Sequence, residues 1–559
     1  MRPSFRALRP SGRDPLQATA RGLLLIVLLL TSLSVIAPKA VLGQEGLPPF
    51  RIDPSLPPDT VVNPNQGLGQ CHWLASDILS QPYVSWAYDS SVAISSWSAI
   101  EPEPGVFNWD PLDAQIAKAK ALGKRIWIEL HTTEGQTPQW ARDAGVEIVG
   151  SRGGAPVPWN ETYQRLLRRA VHAMAERYDD DPTVDAVNIA AGGCYGEMTI
   201  CAASTDKVAW EQAGYTDEKF VEAVKRSIDI YLEPEIWDYV GDPTLNPGFV
   251  KTPVVLQLGS GLYGHTISVI QPVVDYAISK YGMRVWLKFN GFGGGTDMGW
   301  LYEKYNTQTR VGYEPAGNSL EFLMKPGEFM QAALAQHSSF LCLQETYYTI
   351  DDAKWENARM LAARHLGAQI VTLGAEAPQQ VQVGQDWPVI TRWVNRGTTP
   401  LMRPERHGTK DLPTSYDIAL TLVDDSSASV AWEHIFTPSV PTTQWYSAKP
   451  ITIEKTLVIP ASVPGGTYDL RVALTDPSWA DEGEYRRFRL VNTELDDGSG
   501  RYAVGRVRVL NEPTPTARPV ATPEPTVAGT SPPSAGPNWL SRLLSSIWNW
   551  IRDLISRLS

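Results

Sequence analysis

The feature that most limits the possible fold of this chain is a long alternation between short apolar segments and amphipathic segments of helical period. The short segments have the length of buried strands, and the longer ones place apolar residues on one helical face. Strands are predicted at 67–73, 92–97, 125–130, 184–189, 254–258, 284–290, 339–345 and 368–373, and helices at 111–122, 162–178, 217–231, 267–280, 326–335 and 351–365. About eight strands with intervening helices are what a (β/α)8 TIM barrel requires, so we predict this fold for residues 63–378.

The first strand–helix unit is the irregular part of this pattern. Residues 82–86 lie where the first barrel helix is expected, but they contain no helical period. The barrel prediction therefore depends on the units that follow.

The pattern changes at about Val381, where apolar and polar residues begin to alternate with period two. Segments of this kind, separated by Gly, Pro, Asp and Asn, continue to about Val509. This alternation is typical of half-buried antiparallel strands, so residues 379–510 are predicted to form an all-β sandwich.

The first residues of the chain have the composition of an export signal. Residues 1–43 begin with a basic leader and continue with the apolar run Leu23–Ile36, which predicts a signal peptide and an exported protein. An uncleaved membrane anchor is the alternative, although the run is short for a membrane span. Residues 44–62 are Pro-rich and are predicted to form an extended lead-in.

The last residues are predicted to form a linker and a separate helix. Residues 511–537 are rich in Pro, Thr and Ala, which predicts a disordered linker. Residues 538–559 form an amphipathic helical pattern in which Trp548 and Trp550, with three arginines, suit a membrane interface. Peripheral attachment to a membrane or the cell envelope is one interpretation of this helix, and docking on the protein itself or self-association are the others.

The charge and the aromatic content of the chain indicate which kinds of molecule it binds. A net charge of -12 and a pI of about 5.3 argue against a nucleic-acid-binding protein, which would usually be basic. Twenty Trp and 21 Tyr residues suit flat, partly apolar ligands such as sugar rings, although many of them will belong to the core. No Cys/His spacing resembles a structural zinc site. No metal or organic cofactor is implied.

One stretch, Val184–Cys201 (VDAVNIAAGGCYGEMTIC), joins a buried strand to a candidate catalytic carboxylate. Small residues follow the strand and allow close approach of backbone or ligand, and Glu197 then lies between Cys194 and Cys201. A disulfide between these cysteines would hold the loop that carries Glu197, whereas the alternative is two free, small apolar residues. Glu197 is either a functional group at a barrel mouth or a solvated loop glutamate.

A second carboxylate follows another predicted strand. Glu197 follows the fourth predicted strand and Glu345 the seventh, and acids at the carboxyl ends of barrel strands converge on one mouth. Glycoside hydrolysis needs such a pair, because one carboxyl group protonates the leaving oxygen while the other attacks the sugar or activates water. Glu376, after the last predicted strand, is the alternative second carboxylate.

The segment Trp97–Trp109 (WSAIEPEPGVFNW) resembles the turn after the second strand of retaining glycoside hydrolases with β/α barrels, notably the family 42 β-galactosidases. That superfamily places its acid/base at the end of strand four and its nucleophile at the end of strand seven. The resemblance therefore implies that Glu197 is the acid/base and Glu345 the nucleophile in the retaining hydrolysis of a β-glycosidic bond, with carbohydrate as the partner. Glu101 in this turn is interpreted as structural.

A wider resemblance, over roughly residues 60–510, is to secreted bacterial proteins that join such a barrel to a β-sandwich. It rests on a G-x-x-G-E end to the fourth strand and on W-x-N-x-G and P-G-x-Y-x-L motifs in the sandwich. These motifs are carried here by Gly193, Gly196, Glu197, Trp393, Asn395, Gly397, Pro464, Gly465, Tyr468 and Leu470, with one additional residue between Gly465 and Tyr468. The resemblance implies a bacterial protein that is secreted or associated with the cell envelope.

Candidate substrate-binding residues lie at the same predicted strand ends. They are Trp97, His131, Glu134, Tyr347 and Glu376. The polar side chains are candidates for binding hydroxyl groups, and the aromatic rings are candidates for stacking on a sugar face. The alternative for the aromatic rings is packing in the core.

One position departs from the superfamily pattern. Its acid/base usually follows an Asn that binds the sugar 2-hydroxyl, whereas Gly196 precedes Glu197 here. Either another group takes that role or the chemistry is weakened. The departure keeps open a non-catalytic carbohydrate-binding protein on the same barrel, and an adhesion or surface-layer protein that works through its sandwich and tail is a third alternative.

Overall fold

The computed structural model describes most of the chain between Val61 and Asn511. The described residues are 61, 63, 66–71, 81, 83–88, 95–151, 153–193, 196–200, 203–232, 248–259, 267–292, 299–315, 324–403, 415–476 and 487–511. The predicted signal peptide and the predicted C-terminal helix lie outside these residues, as do nearly all of the lead-in and the linker. None of the described helices combines the length and the apolar character that a membrane crossing requires.

Eight parallel strands close into a barrel, which confirms the predicted fold class. They are Gly67–Cys71, Val84–Tyr88, Arg125–Glu129, Val184–Asn188, Val254–Leu258, Val285–Phe292, Val311–Pro315 and Phe340–Gln344, called the first to eighth barrel strands below. The first and eighth strands pair in parallel along their whole length and close the barrel.

Helices follow the strands on the outside of the barrel. They are Trp97–Ile100, Asp110–Ala121, Gln139–Asp143, Glu161–Tyr178, Ala203–Gln212, Asp217–Leu232, Ile267–Tyr281, Gly299–Tyr305, Pro326–Ala335, Glu345–Thr349 and Ala353–His365. The amphipathic pattern explains the long ones: in Glu161–Tyr178, for example, Leu167, Val171 and Met174 are fully buried against the strands. The Asn160 side chain caps this helix by accepting a hydrogen bond from the Tyr163 backbone N–H. A two-stranded pair, Ile148–Val149 with Ala155–Pro156, lies in the loop before it.

Eight barrel strands were predicted and eight are present, but their assignment to segments of the chain was wrong at three places. The second strand is Val84–Tyr88, whereas Trp97 begins a short helix because the Ser96 hydroxyl caps it. The seventh strand, Val311–Pro315, was not predicted. It contains Gly312, Glu314 and Pro315, residue types that are depleted in strands, so its five residues carry a weak strand signal. Its hydrogen bonds come from the two neighbouring strands.

The third error concerns the last predicted strand of the barrel. Ile370–Glu376 pairs antiparallel with Asp386–Asn395 and belongs to the second domain. Phe340–Gln344 is therefore the eighth barrel strand, and the second domain begins inside the range predicted for the barrel.

A layer of aromatic side chains fills the barrel interior below its carboxyl end. Trp86 and Trp127 stack with their ring centroids 4.1 Å apart, and Trp286 and Phe340 pack against Trp127. Gly69 leaves room for this layer, because a Cβ there would lie 2.0 Å from the Trp86 ring. The polar groups above this layer therefore have an apolar floor.

The second domain is a β-sandwich, as predicted. Its smaller sheet contains Ile370–Glu376, Asp386–Asn395 and Pro450–Val458, and its larger sheet contains Gln380–Gln382, Tyr502–Leu510, Gly466–Thr475, Asp417–Asp424, Val430–Phe436 and Arg487–Phe488. Trp387, Trp393 and Trp445 are fully buried between the sheets.

The sandwich contacts the amino end of the barrel. Thr398 Oγ1 donates a hydrogen bond to the Ser338 carbonyl oxygen (2.6 Å), and Arg310 donates one to the Met402 carbonyl oxygen (2.8 Å). Ser338 and Arg310 precede the eighth and seventh strands, so this contact leaves the carboxyl end of the barrel to the strand–helix loops.

Candidate active site

Inward-facing polar side chains gather at the carboxyl end of the barrel. Alternate residues of each strand face inward, and on six successive strands the inward residue near the carboxyl end is polar. We call these strand residues, together with two residues from the adjoining loops, the mouth cluster. The strand residues are Glu129, Asn188, Gln257, Lys288, Asn290, Glu314 and Gln344, and the loop residues are His131 and Glu197.

Glu129 ends the third strand and is fully buried. Its Oε1 lies 3.1 Å from His131 Nδ1, and its Oε2 accepts hydrogen bonds from Asn188 Nδ2 (3.2 Å) and Gln257 Nε2 (3.4 Å). A buried carboxylate needs partners of this kind, so Glu129 ties the third strand to the fourth and fifth.

Gln257 continues the chain of contacts toward the sixth and seventh strands. Its Oε1 accepts hydrogen bonds from Lys288 Nζ (2.9 Å) and Asn290 Nδ2 (3.3 Å). Lys288 Nζ lies 2.6 Å from Glu314 Oε2, and Gln344 Nε2 donates to Glu314 Oε1 at 3.3 Å. A second carboxylate, Glu314, is thus joined to the same network.

Glu197 reaches this network from the loop after the fourth strand. Asn290 Nδ2 donates a hydrogen bond to Glu197 Oε1 at 2.6 Å, and the Glu197 side chain is partly exposed. The loop is held in place by backbone hydrogen bonds from Met198 N to the Gln257 carbonyl oxygen and from Ala191 N to the Gly196 carbonyl oxygen. Glu197 is therefore positioned by the fifth and sixth strands as well as by its own.

The backbone conformation and the close packing at Gly196 explain why a glycine precedes Glu197. Gly196 has a φ of +75°, and a Cβ on it would lie 3.2 Å from Gln257 Nε2 and 3.3 Å from Glu129 Oε1. A side chain at this position would be strained and would press on the buried network. Where an asparagine side chain was expected before the acid/base, the backbone of Gly196 therefore packs closely against this network. Asn290, from the sixth strand, contacts Glu197 instead.

The observed strand order changes which glutamate is the candidate second carboxylate. Glu345 begins the helix after the eighth strand, so the reason for choosing it, a position at the end of strand seven, was wrong. Its side chain lies outside the described part of the structure. The seventh strand carries Glu314 at its carboxyl end, and this residue is buried.

The structure places two of the predicted substrate-binding aromatics in the core. Trp97 is fully buried, donates a hydrogen bond from Nε1 to Glu101 Oε2 (2.8 Å), and packs against Trp140 and Tyr163. Tyr347 is also buried, and its ring packs on Trp355 at 5.2 Å. Core packing, the alternative for these rings, is what the structure shows.

Tyr347 nevertheless lies close to the candidate site. Burial raises the pKa of the Tyr347 phenol, and the nearby Glu314 carboxylate raises it further. The phenol therefore remains neutral where enzymes usually work, and it is a neighbour of Glu314 rather than an open stacking surface.

The polar candidates divide into one that lies in the mouth cluster, one on a nearby turn and one far away. His131 contacts Glu129 through Nδ1 and Thr133 Oγ1 through Nε2 (3.3 Å). Glu134 is on the following turn, with a φ of +53° and partial exposure. Glu376 lies on the second domain, exposed and paired with Arg392 (2.9 Å), so its predicted position at the barrel mouth was wrong.

Cysteine pairing is described in part. Cys194 and Cys201 lie outside the described residues, so the predicted bridge between them remains a prediction. Cys342, in the eighth strand, forms a disulfide bond and is fully buried in the barrel interior. The described residues contain no group of three or more His, Cys, Asp or Glu side chains arranged to hold a metal ion.

Several members of the mouth cluster were missed by sequence reasoning. They are Glu129, Asn188, Gln257, Lys288, Asn290, Glu314 and Gln344. Their signal is a polar residue at an alternate position near the end of an apolar strand, as in RIWIE, VVLQL and VGYEP. A strand that is buried on both faces has little reason to carry such residues unless they meet one another inside the barrel.

Comparison with known proteins agrees with the resemblance read from the turn at Trp97–Trp109. Residues 87–221 match the model of glycoside hydrolase family 42, described as β-galactosidase. This segment contains the end of the second strand and all of the third and fourth strands, and with them Glu129, His131 and Glu197. The predicted likeness to this family is thereby confirmed over that part of the chain.

Two curated β-galactosidases match parts of the chain. GanA of Bacillus subtilis is 28% identical over 150 residues, which is 24% of this chain and 22% of GanA. BbgII of Bifidobacterium bifidum is 32% identical over 119 residues, 19% of this chain and 17% of BbgII. The chain thus spans about a fifth of the length of these relatives.

Solved glycosidase structures also align with the chain. A β-galactosidase from the psychrophilic Marinomonas ef1 aligns with a TM-score of 0.33 and 14% identity, over 53% of this chain and 59% of its own. The catalytic domain of a β-amylase from Paenibacillus polymyxa aligns with a TM-score of 0.37 and 10% identity, over 54% of this chain and 99% of its own.

Proposed function

We propose that the protein is a retaining glycoside hydrolase for β-galactosides, with Glu197 as acid/base and Glu314 as nucleophile. The observation that supports this most is the arrangement of the two carboxylates. Glu197 follows the fourth strand and Glu314 ends the seventh, and both join one hydrogen-bonded cluster at the carboxyl end of the barrel. The family 42 match over residues 87–221 supports a galactoside as substrate.

In the first step, a Glu314 carboxylate oxygen attacks the anomeric carbon while the bond from that carbon to the leaving oxygen breaks. Glu197 gives its proton to the leaving oxygen, so the alcohol departs neutral and a glycosyl ester of Glu314 remains. In the second step, Glu197 takes a proton from water as the water oxygen attacks the same carbon. The ester bond breaks, and the Glu314 carboxylate is restored.

The test is hydrolysis of aryl β-galactosides by variants of each carboxylate. Glu314→Gln should abolish turnover of every substrate, because it lacks a nucleophile. Glu197→Gln should lose most activity on substrates with poor leaving groups but keep the first step with dinitrophenyl galactoside, whose leaving group needs no proton. Proton NMR of the first product formed by the natural protein should show the β-anomer, as retention requires.

Of two further carboxylate variants, one is a control and the other tests an alternative nucleophile. Glu376→Gln, an exposed change on the second domain, should leave activity unchanged. Glu345→Gln tests the nucleophile implied by the resemblance alone. Loss of activity in Glu345→Gln together with full activity in Glu314→Gln would refute the assignment of Glu314.

A non-catalytic carbohydrate-binding protein is the second candidate function. Two observations favour it: Gly196 stands where an asparagine is expected, and Glu314 is engaged in an internal ion pair. Calorimetric binding of galactosides to the natural protein, with no turnover of aryl galactosides over a range of pH, would select this function.

We also propose that the protein is bacterial, is exported, and is secreted or associated with the cell envelope through residues 538–559. The composition of residues 1–43 and the disulfide bond at Cys342 support export. Cell fractionation of the full chain and of a chain lacking residues 538–559 tests both parts. Recovery of the full chain only from the cytoplasm would reject export, and equal membrane association of the two chains would reject the role of the tail.

A further inference from the structure

We propose that Lys288 is the positioning residue of the candidate nucleophile: its ammonium group keeps Glu314 ionised and fixes the direction of its carboxylate. The catalytic part of this inference rests on the proposed function, because it requires Glu314 to be the nucleophile.

The contact between the two side chains is short and buried. Lys288 Nζ lies 2.6 Å from Glu314 Oε2, and the two side chains are 1% and 6% exposed. They come from neighbouring parallel strands, on which Lys288 is opposite Gly312 and Asn290 is opposite Glu314. The contact is therefore a buried ion pair between adjacent strands.

Gln257 fixes the position of the ammonium group from the other side. Its Nε2 faces the buried Glu129 carboxylate, which sets the orientation of the amide and turns Oε1 toward Lys288 Nζ at 2.9 Å. The contacts run from the Glu129 carboxylate through the Gln257 amide and the Lys288 ammonium to the Glu314 carboxylate. At each contact a donor or positive group meets an acceptor or negative group. A buried lysine with these partners has little freedom to leave Glu314.

Among the residues that the structure describes, the other groups named around Glu314 are not positively charged. Gln344 donates a neutral hydrogen bond to Oε1, and Tyr347 faces Glu314 as a buried phenol. The remaining titratable members of the mouth cluster are Glu129, His131 and Glu197. His131 is engaged with Glu129, so Lys288 is the member of the cluster whose positive charge acts on Glu314.

The ion pair also bears on the two chemical steps. When a Glu314 oxygen bonds to the anomeric carbon, the carboxylate becomes a neutral ester and Lys288 loses its charged partner. When water breaks that ester, the carboxylate and the ion pair return. A buried ammonium without its counterion is costly, so Lys288 disfavours the covalent intermediate and favours its hydrolysis.

The experiment is the pH dependence of kcat/KM for an aryl β-galactoside, in the natural protein and in Lys288→Met. Methionine keeps the length of the side chain and removes the charge. We expect the acidic limb of the profile to move to higher pH by about 1–3 units, because an opposite charge at this distance shifts a carboxyl group by that much. Lys304→Met removes a lysine from an exposed ion pair with Asp275 and should leave the profile unmoved. A folded Lys288→Met with an unmoved acidic limb would overturn the inference.

A second measurement needs neither activity nor a folded Lys288 variant. The infrared difference spectrum between the natural protein and Glu314→Gln isolates the Glu314 carboxyl group. We expect its carboxylate band to persist below about pH 4.3, where an ordinary glutamate is half protonated. Protonation at or above that pH would contradict the role of Lys288. An inactive natural protein with an ionised Glu314 would reject the proposed function but not the effect of Lys288 on Glu314.

Discussion

Asn290 Nδ2 lies 2.6 Å from Glu197 Oε1, so a side chain of the sixth barrel strand holds the carboxylate carried by the loop after the fourth. The same amide nitrogen lies 3.3 Å from Gln257 Oε1. The candidate acid/base is thus oriented across the barrel mouth by its neighbours, whereas the residue before it, Gly196, contributes only backbone.

Replacing Asn290 should therefore impair Glu197 without unfolding the barrel. A hydrogen bond to a charged group contributes about 1.5–3 kcal/mol, so Asn290→Ala should lower kcat/KM for an aryl galactoside about 10- to 100-fold. Steady-state kinetics measure this loss. Gln139→Ala, which removes an exposed contact with Asp143, is the matched control and should have no effect. Unchanged kinetics in Asn290→Ala would show that the contact does not orient the acid.

The close approach at Gly196 predicts a stability cost that strain alone does not explain. Gly196→Ala and Gly384→Ala both place a side chain at a positive φ, +75° and +78°, but only the first brings its Cβ near other atoms. Each should lose about 1–2 kcal/mol from backbone strain, and Gly196→Ala should lose more because Gln257 and Glu129 have to shift. Urea unfolding measures both losses. Equal losses of unfolding free energy in the two variants would show that Gln257 and Glu129 shift at no measurable cost.

Glu101, in the turn that resembles the glycosidase pattern, should support the fold rather than the chemistry. It is fully buried and accepts hydrogen bonds from Trp97 Nε1 (2.8 Å) and Gly105 N (2.7 Å), and it also pairs with Arg169. Glu101→Gln should lower the free energy of unfolding by about 1–3 kcal/mol, since Arg169 is partly exposed and the pair is partly screened.

The control for Glu101 is the neighbouring exposed glutamate, Glu103. Glu103→Gln should change stability by no more than about 0.5 kcal/mol. Thermal or urea unfolding compares the two variants, and kcat/KM of folded Glu101→Gln should stay close to that of the natural protein. A large loss of kcat/KM at unchanged stability would assign Glu101 to the active site instead.

The disulfide bond of Cys342 predicts a specific peptide map. Digestion without reduction should yield Cys342 in a cross-linked peptide, which reduction separates. The chain has four cysteines, so the sequence of the cross-linked peptide identifies the partner of Cys342. Alkylation of Cys342 in the unfolded, unreduced protein would contradict the bond.

Local sequence was sufficient for most of the barrel and for the change to a sandwich. Long helices such as Glu161–Tyr178 and strands such as Val254–Leu258 appear within one or two residues of their predicted bounds, because period and capping are local properties. The position of Glu197 after the fourth strand also followed from local order. Length does not explain the two strands that were missed or misplaced, because Val84–Tyr88 and Val311–Pro315 have five residues, as Val254–Leu258 does. Val311–Pro315 contains a Gly, a Glu and a Pro, which are residue types that are depleted in strands.

The sequence by itself thus determined most of the long helices, six of the eight barrel strands and the alternation that makes a barrel. Only the tertiary structure decided which carboxylates join one network at the barrel mouth. Glu314 became the partner of Glu197 because Val311–Pro315 gains its strand hydrogen bonds from the sixth and eighth strands, and this pairing makes it the seventh. For the same reason Glu376 was excluded, since Ile370–Glu376 pairs with a strand of the second domain. Pairing between distant segments is a long-range interaction, and no local pattern records it.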